Sequence, residues 1–156
     1  DGDRILGVIR GVGLSNDGCG EGTLVPSTEG QVRAIRAAYE MSGLGPEDVD
    51  LIQLHDAATI GELQQIEALH LFPFGEAWQG TVEGRTALTG DIPVNTDGGL
   101  LAMGHPFGAS GIRMIHETVP QLRGGAGPRQ VVNARVGIAQ CSGAGDVTTV
   151  HILKRG

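Results

Sequence analysis

Apolar residues along this chain recur with two different periods, and the switches between them outline its elements. From Arg4 to Leu14, RILGVIRGVGL alternates branched apolar residues with small or polar ones, the period of a strand. SNDGCGEGTLVPS is loop chemistry, rich in Asn, Asp and Gly. Val32, Ile35, Ala38 and Tyr39 then recur at helical spacing, with Thr28 as the expected N-cap and Gly43 as the stop signal. GPEDVD leads into a short apolar strand, VDLIQL, that ends at His55. Asp56 begins a second helix with Ile60, Leu63, Ile66, Ala68 and Leu69 as its apolar stripe. Its carboxylate is expected to cap that helix, a gain of about 1 kcal/mol. From Phe72 to Val94 the pattern dissolves into a long irregular connection, a length that usually serves a function or covers a site. A third helix is expected from Ala109 to Leu122, and QVVNARVGIAQ and DVTTVHILKR read as two final strands joined by the turn CSGAG. The order strand–helix–strand–helix–loop–helix–strand–strand, without an internal repeat, implies an α/β domain: a mixed sheet with helices packed on it.

Composition narrows the class. At 156 residues the chain suits a single domain, 1–156, burying roughly two-thirds of its unfolded surface. Hydrophobic content of 40% with a mean hydropathy of zero fits a globular protein, and 27 glycines with only 3% aromatics favour tight small-residue contacts. The net charge of −7 and scattered basic residues argue against a nucleic-acid surface. No apolar run approaches the ~20 residues of a membrane helix, and no signal peptide is visible. The two cysteines, Cys19 and Cys141, lie far apart without metal-ligand spacing, so no metal is expected and a reducing cytoplasm is the default. The chain opens on Asp1 with a strand-like run, so it reads as a processed product, an excised domain or a piece of something longer.

Candidate chemistry collects at three places. NTDGGLLAMGHPFGASG, Asn95 to Gly111, holds His105 among five glycines. Such a cluster marks sharp turns or close backbone approach, although it lacks the spacing and the lysine of a phosphate loop. His55 stands at the carboxyl end of a strand, where open α/β sheets bind ligands. Cys141 is expected at the tip of the last turn. Two imidazoles and a thiol suit acyl chemistry, since imidazole N–H groups can hold an oxyanion and thiol or imidazole can carry a proton. The bland readings are a capping histidine and a buried structural thiol. Cys19, in a glycine loop with no helix start to lower its pKa, reads as a non-catalytic cysteine. His70, His116 and His151 read as packing or surface residues. Phe72, Phe74 and Trp78 cover a substrate tunnel or form a subunit contact.

Three blocks in order, LHDAATIGELQQIEALHLFPFGEA, DIPVNTDGGLLAMGHPFGASGIR and GIAQCSGAGD, resemble the C-terminal half of the thiolase superfamily, in particular its sterol-carrier-protein-type thiolases. The first part, GDRILGVIRGVGLSNDG followed by IRAAYEMSGLGPEDVDLIQLH, is similar to the second half of a β-ketoacyl synthase, a branch of the same fold. The resemblance implies a thiolase-like C-terminal half with a mixed five-stranded sheet and helices on both faces. It implies that His105 activates a nucleophilic cysteine and that His55 forms an oxyanion hole. Cys141 would act as acid and base on carbon. Gly104, Pro106 and Gly108 would let the backbone approach the thioester, and Gly143 and Gly145 would offer N–H groups. Asn95 matches the first Asn of the family's Asn-x-Asn-Gly-Gly, but Asp97 replaces the second. HDAAT stands where common thiolases have Asn-Glu-Ala-Phe, and synthase blocks are absent from His55 onward.

The nucleophilic cysteine belongs to the family's N-terminal half, so the resemblance implies a chain inactive until such a half or subunit joins it. The implied activity is an acyltransferase forming or cleaving carbon–carbon bonds by Claisen chemistry in lipid metabolism. Its substrate would be a coenzyme A or acyl-carrier-protein thioester, with no further cofactor, in a cytoplasmic homo- or hetero-oligomer such as a dimer. The alternatives are a retro-aldolase acting on acyl-CoA, a β-ketoacyl synthase half, and a non-catalytic dimerisation module of the same fold.

Overall fold

The computed structural model describes residues 2–16, 18, 27–143 and 147–156. Among these residues four strands form one sheet in the order β1-β4-β3-β2. β1 (Val8–Asn16) runs antiparallel to β4 (Val147–Lys154), β4 antiparallel to β3 (Val136–Gly143), and β3 parallel to β2 (Leu51–Gln53). The expected mixed sheet is present, but with four strands rather than five. Beyond β2, among the described residues, stands only a single bridge, Ile52 to Val94. Pro93 has no N–H to extend that ladder, and Asn95 turns the chain away with φ 47°.

Helices cover both faces. α1 (Thr28–Ser42) lies directly on β1 and β4. Gly11 and Gly13 make that approach possible, because a methyl group at either would overlap the backbone carbonyls of Ala38 and Ala34. The glycines of RGVGL are therefore where the helix rests. Ser27, not Thr28, caps α1: it has extended φ and ψ, and its Oγ accepts from the Gly30 N–H at 3.2 Å. Gly43 ends the helix in the left-handed region, as expected. On this face Ala34, Ile35 and Ala38 pack against Ile52, Ile138, Val150 and Ile152, together with Ile66 of α2 (Thr59–Ala68).

α5 (Ser110–Leu122) covers the other face, where Met114 and Leu122 pack against Leu51, Ala139 and Leu153. Alternation along β3 separates the two cores: Ile138 belongs to one and Ala139 to the other. The long connection is not wholly irregular, since it holds α3 (Ala77–Val82), and a further short helix, α4 (Gly99–Met103), precedes the His105 loop. Asp56 does not cap α2, which begins three residues later behind Ala58. Its carboxylate instead accepts from Leu100 N–H at 2.7 Å and from Leu101 N–H at 3.4 Å, so it caps α4 from across the fold. Among the described residues no helix is long and apolar enough to cross a membrane.

Candidate active site

His55 leaves the end of β2 through a backbone clamp. Its N–H is shared between Gln65 Oε1 (3.1 Å) and Gln140 Oε1 (3.4 Å), and its carbonyl accepts from Gln65 Nε2 at 2.8 Å. Both glutamines are buried, and Gln140 also donates to Ser142 Oγ at 3.0 Å, which ties the histidine to the strand carrying Cys141. One residue earlier, the Leu54 N–H donates to Asn95 Oδ1 at 2.8 Å. Asn95 thus has a structural use, fastening the glycine loop to the strand end.

That loop is set by Asp56. Gly99 touches its carboxylate so closely, at φ 65°, that a methyl group there would overlap it. Gly104 and Gly108 take φ 83° and 79°, which turns the chain out of α4 and into α5 around His105. His105 Nδ1 lies 2.9 Å from Ser110 Oγ, whose hydroxyl donates to the Pro106 carbonyl at 3.1 Å. With its proton committed, Ser110 accepts from Nδ1–H, so Nε2 carries the lone pair. The His105 ring stands edge-on to two neighbours: His55 at 4.7 Å between centroids and Phe107 at 4.6 Å.

Cys141 lies inside β3 opposite Thr149 rather than at a turn tip, because the hairpin ladder continues to Gly143 and Val147. The carboxylate of Asp97 pairs with Arg113, and both side chains are mostly buried. Burial raises the Cys141 thiol above its ordinary pKa, and the Arg113 guanidinium partly offsets that. Burial lowers the His55 pKa, the neighbouring His105 adds to the effect, and Asp56 opposes it. Near neutral pH the site therefore holds a neutral imidazole at His55 and a protonated thiol at Cys141.

His55, His105 and Cys141 line one cavity of about 1100 Å³, with Ile60, Phe107 and Ile112 on its apolar walls. Gly108 and Gly143 line it too. Gly104 and Pro106 do not; they serve the loop as the C-cap of α4 and as the carbonyl that anchors Ser110. Gly145 and Cys19 lie outside the described residues. His151, which reads from the sequence as a packing or surface residue, lines the same cavity from β4. Its signal was the parity of the last hairpin, which puts it on the face of Cys141. Among the described residues no cluster of three or more His, Cys, Asp or Glu could hold a metal ion.

A four-stranded mixed sheet with two adjoining imidazoles at strand-end and loop positions and a thiol on the next strand defines an α/β domain whose polar side chains gather at one cavity. The chain belongs to the thiolase C-terminal domain-like family, whose model matches residues 22–155. It is 44% identical over 125 residues to an acetyl-CoA acetyltransferase of Methanothermobacter thermautotrophicus, a match covering 80% of this chain and 33% of that protein. It is 42% identical over 123 residues to sterol carrier protein 2 of Rattus norvegicus, covering 79% of this chain and 22% of that protein. Among solved structures it is similar to an Ltp2-ChsH2(DUF35) aldolase, with a TM-score of 0.80 and 26% identity over 96% of this chain and 39% of that one. The chain thus spans a third or less of the curated relatives named here.

Proposed function

We propose that this chain is the C-terminal part of a thiolase-type acyltransferase that makes or breaks the carbon–carbon bond beside an acyl thioester. The observation that carries the reading is the convergence of His55, His105 and Cys141 on one cavity. The N-terminal half, as a domain or subunit, supplies the nucleophilic cysteine. His105 Nε2 takes its proton, which Ser110 makes possible by holding Nδ1–H. The neutral His55 ring donates to the thioester oxygen as negative charge develops there. Cys141 gives or takes the proton at the carbon next to the thioester, and a thiol kept protonated at rest suits the giving step. Gly108 and Gly143 leave room for the thioester arm at the cavity wall.

The substrate is an acyl thioester of coenzyme A or of an acyl carrier protein, and no further cofactor enters these steps. The protein acts in the cytoplasm as an oligomer and is inactive without the N-terminal half. The test is a thioester cleavage assay of the chain with and without that half, in wild type and His105→Ala. Activity that needs both the partner and His105 supports the reading; equal activity of wild type and variant refutes it.

One observation favours a second reading, the likeness to a thiolase-fold aldolase. There the same imidazoles would stabilise an enolate without covalent catalysis. A trapped acyl-enzyme detected by mass spectrometry on the N-terminal half separates the two, since only the thiolase reading produces it.

A further inference from the structure

β4 presents Thr149 and His151 to the side of the sheet that carries Ala139 and Cys141, because Thr149 pairs with Cys141 and His151 with Ala139. All four line the large cavity. His151 is the diagonal neighbour of Cys141, a relation that separates backbone positions by about 7–8 Å. The ring makes no hydrogen bond among the described residues, to Cys141 or to anything else. Burial lowers its pKa, so near neutral pH it offers one N–H donor and one lone pair rather than a charge.

Among the described residues no protein group answers that polarity. Val12 stands opposite on β1, and Leu153 follows on the same face within the apolar cluster around α5. Packing alone would be served by an aliphatic residue, as it is at Leu153. A half-buried imidazole beside an open cavity meets water, and a ligand that displaces that water loses a hydrogen bond unless it returns one.

Building on the thiolase reading, we propose that His151 determines acyl specificity: it hydrogen-bonds an uncharged oxygen, hydroxyl or oxo, carried several bonds beyond the reacting carbon of the thioester. Ile112 and Ile115 line the cavity as apolar walls for the carbon chain, and His151 is a polar point among them. A plain hydrocarbon chain reaching that point leaves the ring unpaired, whereas an oxygenated chain satisfies it.

The experiment compares two six-carbon 3-oxoacyl thioesters of coenzyme A, one ending in a methyl group and its twin ending in a hydroxyl. The full protein is used, with its N-terminal portion present, as wild type, His151→Val and His151→Gln. His151→Val should lower kcat/KM for the hydroxylated chain about tenfold while leaving the plain chain within about twofold, and His151→Gln should restore part of the difference. A merely structural histidine would lower both together, and an unchanged ratio in both variants overturns the proposal. Calorimetric binding of both thioesters separates this inference from the thiolase reading. If no carbon–carbon cleavage occurs but His151→Val still weakens binding of the hydroxylated chain alone, the chemistry fails and His151's role stands. If binding too is indifferent to His151, the role falls.

Discussion

Replacing Asp56 with alanine should loosen α4 and the His105 loop while leaving α2 in place. Asp56 is 1% exposed, and its carboxylate accepts from Leu100 N–H at 2.7 Å and more weakly from Leu101 N–H at 3.4 Å. A hydrogen bond to a charged group is worth about 1.5–3 kcal/mol, and the longer contact adds little. Alanine leaves the Leu100 N–H without its acceptor at a buried residue, which adds to the loss, but it also relieves the desolvation of a buried carboxylate. The net cost is about 1–3 kcal/mol, a sizeable share of the roughly 5–15 kcal/mol that holds a domain together. Hydrogen exchange by NMR reads it locally. Protection at the Leu100 and Leu101 amides should fall about 10- to 100-fold, because each 1.4 kcal/mol is a factor of ten. The amides of Gly61 and Glu62, bonded to the Ala58 carbonyl at 3.0 and 3.3 Å, should keep theirs. Loss of protection at Gly61 and Glu62 with Leu100 unchanged would falsify this account and restore Asp56 as the cap of its own helix.

Ser110→Ala removes the acceptor that holds His105 Nδ1–H, so kcat in the thioester assay should fall about tenfold or more while KM changes little. Gly13→Ala pushes α1 off β1 and should lower stability by about 3 kcal/mol in urea unfolding; a loss below 1 kcal/mol would contradict the close approach. Glu62 has its pKa raised, by burial first and by Asp56 second, against the Asn95 hydrogen bond. A carboxyl raised on folding contributes stability that is present below the unfolded value and is lost as pH rises through the folded one. Glu62→Gln should therefore stabilise the protein at pH 7 but not at pH 3, and equal effects at both would refute that. His55 and His151 are lowered, so their contribution is present above the ordinary histidine value and is lost as pH falls through the folded values. Unfolding midpoints should accordingly drop as pH falls below the ordinary histidine value of about 6.5, less steeply in His55→Gln.

The parts of the fold that show in the sequence are those governed by local rules. α1 and α5 carry long periodic stripes, and α5 begins within one residue of its expected start. β1, β2 and β4 announce themselves by alternation or by a short apolar run between turn signals. α3 and α4 did not show, because helices of six and five residues are too short for a period and are held by tertiary contacts. The five strands were implied by the resemblance and not by the periodicity, which shows four; beyond β2 the ladder stops after one bridge, at Pro93 and the positive φ of Asn95. Asp56 was legible as a capping residue but not as to which helix it caps, since its partner lies 44 residues on. His55 and His105 stood out by position, whereas His151 needed the hairpin register to bring it onto the face of Cys141.

Buried polar side chains fasten the site, and on the proposed reading that bears on what a partner half must do. Gln65 and Gln140 grip the His55 backbone, Asn95 grips Leu54, Asp56 grips α4 and Ser110 grips the His105 ring. Both ends of each contact come from this chain. Such bonds fix direction as well as distance, and breaking one strands a buried donor or acceptor. The relative placement of His55, His105 and Cys141 therefore follows from this sequence, before any other surface is added. A partner half has no need to shape the three groups; on the proposed reading it brings the nucleophile to a constellation already oriented. Binding then costs little reorganisation of these side chains, which is the condition under which fixed donors stabilise a developing charge most effectively.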